Sequence, residues 1–403
     1  MHGSYCNDAV AVNRARPPVW ARPRSFGKNM KTDSSNDVLV IGGGVSGMSV
    51  AYGLARAGKR VTVMDQGDDV FRATRGNFGL VWVQGKGAAK PEYARWSLSS
   101  AALWPEFAAE LTQRSGVEVQ LSQVGGMRMS FSESELTRWA GDMDRIRDSL
   151  GVDYPYERLS AAEVRARIPE VGPEVAGAIF SPLDGHVSPL RLLRSLVQGF
   201  TNLGGKLTTG ASVEAIDYRA GEFQVRTQKG LFSAGRIVLA AGLGNRTLAP
   251  MVGLHAPVEP VRGQILVTER MQPFLRYPTL HVRQTGEGVI QIGDSKEDVG
   301  FNDATTVKEL GRIARNAERY FPLLKTVNVV RAWGALRVMT SDGYPIYDVS
   351  EKCPGAYLVT CHSGITLAAH HAGAISDWIC GATEPDGIQS FRANRFHVQT
   401  STN

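Results

Sequence analysis

Asp37-Val38-Leu39-Val40-Ile41-Gly42-Gly43-Gly44-Val45-Ser46-Gly47 is the stretch that decides the fold. Residues 38–41 are apolar and mostly β-branched, as a buried strand requires. Glycines at 42, 44 and 47 follow at once, then a helical stretch from Met48 to Ala57. Strand, glycine-rich turn and helix are the parts of a dinucleotide-binding crossover. Gly42 makes the tight turn, Gly44 lets a pyrophosphate approach the backbone, and Gly47 lets helix pack on strand. Val45 and Ser46 open the helix, where free N–H groups and the helix dipole favour an anion.

A second apolar strand, Arg60-Val61-Thr62-Val63-Met64, ends at Asp65 and Gln66. An acid at that point accepts hydrogen bonds from ribose hydroxyls and disfavours a 2′-phosphate. A nicotinamide dehydrogenase would continue with regular βαβ units, whereas residues 68–90 are loop-like, including Phe71-Arg72-Ala73-Thr74 and Arg75-Gly76-Asn77-Phe78-Gly79-Leu80. Much later, Gly235-Arg236-Ile237-Val238-Leu239-Ala240-Ala241-Gly242 reads as a buried strand ending in small residues. Such an end lets a loop pass close to the same cofactor, although an ordinary core strand would look alike. The balance favours FAD, and an NAD-dependent dehydrogenase remains the rival that the visible absorbance of the protein separates.

With 403 residues, 43% hydrophobic and 21% charged, the chain can bury a large core and exceeds one typical domain. No run of 18 apolar residues occurs, so no membrane span is expected. The net charge of +6 is concentrated at one end. Arg14, Arg16, Arg22, Arg24, Lys28 and Lys31 outweigh Asp8 and Asp33 in residues 1–33 and leave a nearly neutral body, which gives no reason to invoke nucleic acid. That segment, rich in Pro and Arg and without periodicity, reads as a disordered tail. Arg22-Pro23-Arg24-Ser25-Phe26-Gly27-Lys28 lacks the adjacent arginines and apolar stretch of a twin-arginine export signal, and Met30 is an alternative start. The cysteines Cys6, Cys353, Cys361 and Cys380 form no CxxC pair, so no metal site is expected. Their scattered placement fits a reducing cytoplasm, with peripheral membrane association left open.

Together these pieces resemble the glycine oxidase, D-amino-acid oxidase and sarcosine oxidase family of FAD enzymes over about residues 36–385. The Gly42–Gly47 turn, Asp65, Arg75-Gly76-Asn77, Ala240-Ala241-Gly242, Pro260-Val261-Arg262-Gly263-Gln264, Trp333-Gly334-Ala335-Leu336-Arg337 and Cys361-His362-Ser363-Gly364-Ile365-Thr366-Leu367 fall in the family's order. Arg75–Leu80 and the adjoining Val81-Trp82-Val83-Gln84-Gly85 look most like the β subunits of opine oxidase, D-hydroxyproline dehydrogenase and hydrogen cyanide synthase. Departures are Asp65, where a Glu is more usual, and Cys361, where a Gly is frequent.

The resemblance implies oxidation of a C–N bond in an amino-acid-like substrate, by hydride transfer to non-covalently held FAD, giving an imine that water hydrolyses. It also implies partners: an FAD-containing α subunit and a small [2Fe–2S] protein. A self-contained oxidase of glycine, D-amino acids or sarcosine stays open, as does a flavin relay subunit with no substrate site. Gly364, Ile365, Thr366 and Leu367 precede a helical stretch to Cys380, so their N–H groups and the helix dipole suit the flavin's N1 and C2 oxygen; alternatively Thr366 is a plain helix cap. Arg337 matches the family's carboxylate anchor, a task suited to a planar guanidinium, or forms a structural ion pair, for instance with Asp342. His362 and His281 are the titrating candidates for the substrate amine, although either can be structural. Trp82, Met127, Met129, Trp333 and Tyr344 are candidate pocket walls or plain core.

The expected fold combines α/β and α+β: a Rossmann-like FAD-binding domain interleaved with an antiparallel-sheet substrate domain. The first takes residues 34–90, 185–254 and 336–385, with Val213 bringing backbone to the adenine. The second takes 91–184 and 255–335, with a helix from Thr305 to Tyr320. Residues 386–403 form a C-terminal tail.

Overall fold

A computed structural model describes residues 32–67 and 73–396. Of the expected N-terminal tail only Thr32 and Asp33 are among them, and these already open the first strand, opposite Leu231 and Phe232. The rest of that tail, the loop residues Phe71 and Arg72, and residues 397–403 lie outside the described residues.

The strand Thr32–Ile41 is the centre of a parallel sheet, with Val61–Met64 on one side and Gly230–Leu239 on the other. Lys206–Thr208 extends it beyond Val61–Met64, and Ala356–Thr360 beyond Gly230–Leu239; Ile346–Val349 closes that edge antiparallel. The chain thus leaves the first strand to one side and returns on the other. The carboxyl ends of the two strands frame a crevice, the place where open α/β sheets take ligands.

Successive strand residues face opposite ways. Val38 and Val40 join the core around the helix Val45–Arg56, whereas Leu39 and Ile41 join a second core beneath the antiparallel meander Val213–Arg219, Glu222–Thr227 and Gly230–Leu239. All four are at most 4% exposed, which is why this strand is apolar at every position.

The first core also takes Tyr93 and Trp96 from the helix Pro91–Ala102, Trp104, Phe107 and Leu111 from Trp104–Ser115, and Leu192, Leu196 and Phe200 from Pro189–Asn202. A domain boundary at residue 91 therefore runs through a shared core, because the aromatic faces of two helices assigned to the substrate domain find their apolar partner on the parallel-sheet unit. At the far end, Ile388 and Phe391 of the expected tail are buried in that core. Arg392 ties the segment down through Asp348 and Glu384.

The antiparallel sheet runs in the order Val282–Gln284, Val289–Ile292, Glu259–Arg270, Val329–Met339. A smaller sheet of Gly126–Ser130, Gly177–Ser181 and Glu157–Ser160 joins it where the Met127 N–H donates to Pro278 O at 3.0 Å. The helix Val307–Tyr320 lays Ile313 and Ala317 on Leu266 and Ile290 in a third core. The architecture is the mixed one expected, a parallel-sheet unit interleaved with antiparallel sheets. Among the described residues no helix is long and apolar enough to cross a membrane.

Candidate active site

Four segments meet in the crevice, and glycines set their spacing. Gly42 has φ +116°, and a Cβ there would lie 2.4 Å from Ala240 O; a Cβ on Gly47 would lie 2.0 Å from Gly42 O. Turn, helix and the end of Gly230–Leu239 are therefore in backbone contact, which only glycine permits. Asp65 braces the turn: its carboxylate accepts from Gly43 N–H at 2.7 Å and Gly67 N–H at 2.9 Å. Asp65 O accepts from Ala211 N–H, which brings Val213 to this corner. Gln66 is exposed beside it.

The loop after the second strand closes over the helix start. Val45 N–H donates to Thr74 Oγ1 at 3.0 Å, and the same hydroxyl faces Gly44. Arg75 is exposed, whereas Gly76 is buried under Ala335 and Trp333. Asn77 Oδ1 accepts from Gly79 N–H at 2.7 Å. Gly79, at φ +92°, is pressed against Val187 O just before Leu80 pairs with His186. Across the crevice Ala241 N–H is held by Asn245 Oδ1, and Gly242 takes φ +57°.

The C-terminal turn supplies the fourth side. A Cβ on Gly364 would stand 3.0 Å from Ser46 Oγ, so this turn sits on the opening of the first helix. Thr366 does not cap its own helix, whose N-cap is Leu367 without a side-chain bond. Its hydroxyl accepts instead from Trp82 N–H at 3.2 Å and Lys86 Nζ at 3.0 Å. Ile365 and Leu367 are buried in the first core. The helical stretch that follows runs without a gap to Cys380, with a π turn at His371–Ile375 between Ala368–His370 and Ser376–Cys380.

Arg337 lies on the strand Val329–Met339, its guanidinium over Gly263. Nη2 donates to Asp294 Oδ2 at 2.6 Å and Nη1 to Ser295 O at 2.7 Å. Asp342, the partner weighed from sequence, is taken instead by Arg395. His281 Nδ1 is 3.7 Å from the other Asp294 oxygen, so two of the sequence candidates share one acid. Burial opposes ionisation of Asp294, but His281 and Arg337 outweigh it and hold the carboxyl below its ordinary value. His362 is accessible to solvent, yet surrounding protein drives its imidazole down to about 3, with Arg337, Lys86 and Lys296 pushing the same way. It is neutral at physiological pH and lies in the field of these cations.

Sequence reasoning missed Lys86, Tyr93, Asp184 and Asp294. Lys86 Nζ donates to Ser363 Oγ and Thr366 Oγ1, both at 3.0 Å, and Tyr93 OH meets Ser363 Oγ at 2.8 Å. One signal was available: Lys86 is the lone charge in Val81-Trp82-Val83-Gln84-Gly85-Lys86-Gly87. Of the proposed pocket walls, Met127 and Met129 belong to the third core. Trp82 packs on Gly126, while Tyr344 and Trp333 remain half-buried beside Tyr93 and Gly76.

Residues 37–378 match the family described as FAD dependent oxidoreductase. The chain belongs to this family of flavoenzymes. One subunit of the opine oxidase of Agrobacterium tumefaciens is 43% identical over 90% of this chain and 98% of its own length. The HcnC subunit of hydrogen cyanide synthase from Pseudomonas aeruginosa is 29% identical over 90% of this chain and 97% of its own. The crystal structure of glycine oxidase from Bacillus cereus superposes with a TM-score of 0.81 at 25% identity, covering 90% of this chain and 100% of that one. The flavoenzyme reading thereby replaces the nicotinamide one, and FAD is the cofactor.

Proposed function

We propose that this chain oxidises the C–N bond of an amino acid or N-substituted amino acid of the opine kind, as the catalytic subunit of a multi-subunit dehydrogenase. The likeness to an opine oxidase subunit over nearly the whole of both chains supports the subunit reading. Its partners would be an FAD-containing subunit and a small [2Fe–2S] protein. The substrate reading is carried by one observation, the Arg337 guanidinium held in place by Asp294 and Ser295 O, with His281 on the other Asp294 oxygen.

The crevice fits FAD: Cβ atoms would fill the turn at Gly42 and Gly47, and the first helix opens there. Gly42, Gly44, Val45, Ser46 and Gly47 would hold the pyrophosphate, Asp65 and Gln66 the ribose, and Val213 the adenine. Arg75, Gly76, Asn77, Gly79 and Leu80, together with Ala241, Gly242 and the turn Gly364, Ile365, Thr366 and Leu367, would surround the isoalloxazine, without a covalent bond. Bound FAD supplies the hydride acceptor. Arg337 spends two of its N–H donors on Asp294 and Ser295 and retains others of its five for a substrate carboxylate. His362, its imidazole held at about 3, is too weak a base to take a proton from the substrate ammonium; it would accept a hydrogen bond from the free amine, the form that releases hydride.

Arg337→Ala in the assembled, flavin-loaded complex tests the reading. Loss of the anchor is expected to lower kcat/KM about a hundredfold, mainly through KM, as roughly 3 kcal/mol of charge-assisted hydrogen bonding goes. Unchanged turnover and affinity would leave a relay subunit as the better description.

A further inference from the structure

We propose that Lys86 supplies the positive charge that stabilises the electron-rich pyrimidine end of the reduced isoalloxazine, from behind the Ser363–Thr366 turn. The inference rests on the reading, given above, that this turn borders the flavin.

Three observations carry it. The first is placement: Lys86 Nζ holds both hydroxyls of the turn, Ser363 Oγ and Thr366 Oγ1, at 3.0 Å. Through Gly364 the same turn rests on Ser46 at the opening of the first helix. The ammonium is thus fixed on the segment whose backbone would face N1 and the C2 oxygen.

The second is the absence of a direct ion pair. Among the described residues Lys86 makes no ion pair, and its bonds go to neutral hydroxyls. Asp184, the carboxylate whose charge acts on Lys86, already accepts from Val83 N–H at 2.5 Å and Gln84 Nε2 at 2.6 Å. Burial pushes Asp184 up to about 7 and Lys86 down to about 8, while each charge favours the other across the gap. A half-buried cation whose direct bonds go to neutral hydroxyls is further stabilised when a ligand brings an anion. A flavin that has taken up a hydride is such an anion.

The third is the use made of Thr366. The helix that follows has Leu367 as its cap with no side-chain bond, and the Thr366 hydroxyl accepts from Lys86 Nζ and Trp82 N–H instead. The hydroxyls of Ser363 and Thr366 thus hold a full charge still beside the turn, where the helix start offers only its dipole. Lys86 is on this account an electrostatic positioning residue; the redox chemistry stays with the flavin.

The test uses holoenzyme and sulfite. The sulfur lone pair bonds to flavin N5, and the displaced electron pair settles on N1 and the C2 oxygen, with nothing leaving. Wild-type flavin should therefore be bleached by sulfite. Lys86→Met should raise the sulfite dissociation constant about tenfold or more and lower the two-electron midpoint potential by about 30 mV per tenfold, whereas Lys86→Arg should restore both most of the way. Unchanged sulfite affinity and potential in a flavin-loaded Lys86→Met protein overturn the proposal. If that variant does not hold flavin, Lys86→Gln takes its place in the same two measurements, and failure of sulfite to bleach the wild type overturns the proposal with no variant at all. A wild-type protein that takes up no flavin would instead sink the functional reading beneath it.

Discussion

The glycine turn at residues 42–47 and the Arg337 cluster both stand beside strands, but they are made of different material. The turn is defined by backbone against backbone, with Gly47 leaving no room for even one carbon beside Gly42 O. The cluster is defined by charge: Arg337, Asp294 and His281 drawn from three separate segments of the antiparallel unit. Backbone contact is all-or-none, because a Cβ can neither rotate away nor be screened. Charge clusters are graded, because each member can be weakened without moving the others.

Gly47→Ala should break the first region outright. A Cβ overlapping a carbonyl oxygen costs about 3 kcal/mol or more, equivalent to roughly a hundredfold in flavin affinity. The variant should purify colourless while keeping its circular dichroism spectrum. A yellow, fully loaded Gly47→Ala protein would show that the turn has slack that its contacts deny.

The parallel-sheet unit also carries an acid weakness. His186 and His371 are pushed down to about 3 and His370 to about 4, all by burial first, with Arg283 adding to the effect on His186 and His370 to that on His371. Each is buried and neutral in the fold, whereas an unfolded histidine titrates near 6.5. Their folded values are depressed, so the unfolded chain binds the extra protons. Stability is therefore whole above about pH 6.5 and falls as pH drops toward the folded values, by about 1.4 kcal/mol per unit for each histidine at most. Denaturant midpoints of the apoprotein should decline steeply from pH 6.5 to pH 5, and His371→Asn should flatten the decline. A midpoint independent of pH in that window would mean that the three rings find proton acceptors on opening.

Arg337→Lys sharpens the comparison by keeping charge and removing the planar fork. A lysine cannot hold Asp294, Ser295 O and a carboxylate in one plane. We expect kcat/KM for the amino-acid substrate to drop about tenfold (~1.4 kcal/mol), less than for Arg337→Ala. Equal losses in the two variants would make geometry, not charge, the whole of the anchor.

The same contrast explains what was legible in the sequence. Strand, turn, helix and Asp65 follow one another within thirty residues, and glycine spacing is itself the record of backbone contact. The small-residue end Ala240-Ala241-Gly242 was legible for the same reason. Arg337, His281 and His362 could be named as residue types suited to the task, but not their company: Asp294 is 43 positions from Arg337 in sequence, and Lys86 is 277 from Ser363. Pairings over such distances are created by tertiary packing, and no local pattern encodes them. Which core the two helices after residue 90 would join was hidden on the same ground, since helices carry no mark of which sheet they will cover.

Asp294 gives the smallest and most discriminating effect. Its carboxylate offsets the charge that Arg337 presents to an incoming carboxylate, so it weakens binding while fixing orientation. Asp294→Asn keeps an oxygen to accept from Arg337 Nη2 and removes the negative charge. If Asp294 acts only as this counterweight, KM should fall about fivefold, near 1 kcal/mol, with kcat little changed and the gain fading as salt rises. If instead the acid grips a cationic part of the substrate, KM should rise, and rise most for substrates that carry that cation. Comparing a basic with a neutral N-substituted amino acid in the variant therefore decides whether this charge cluster is balanced for its own sake or for its ligand.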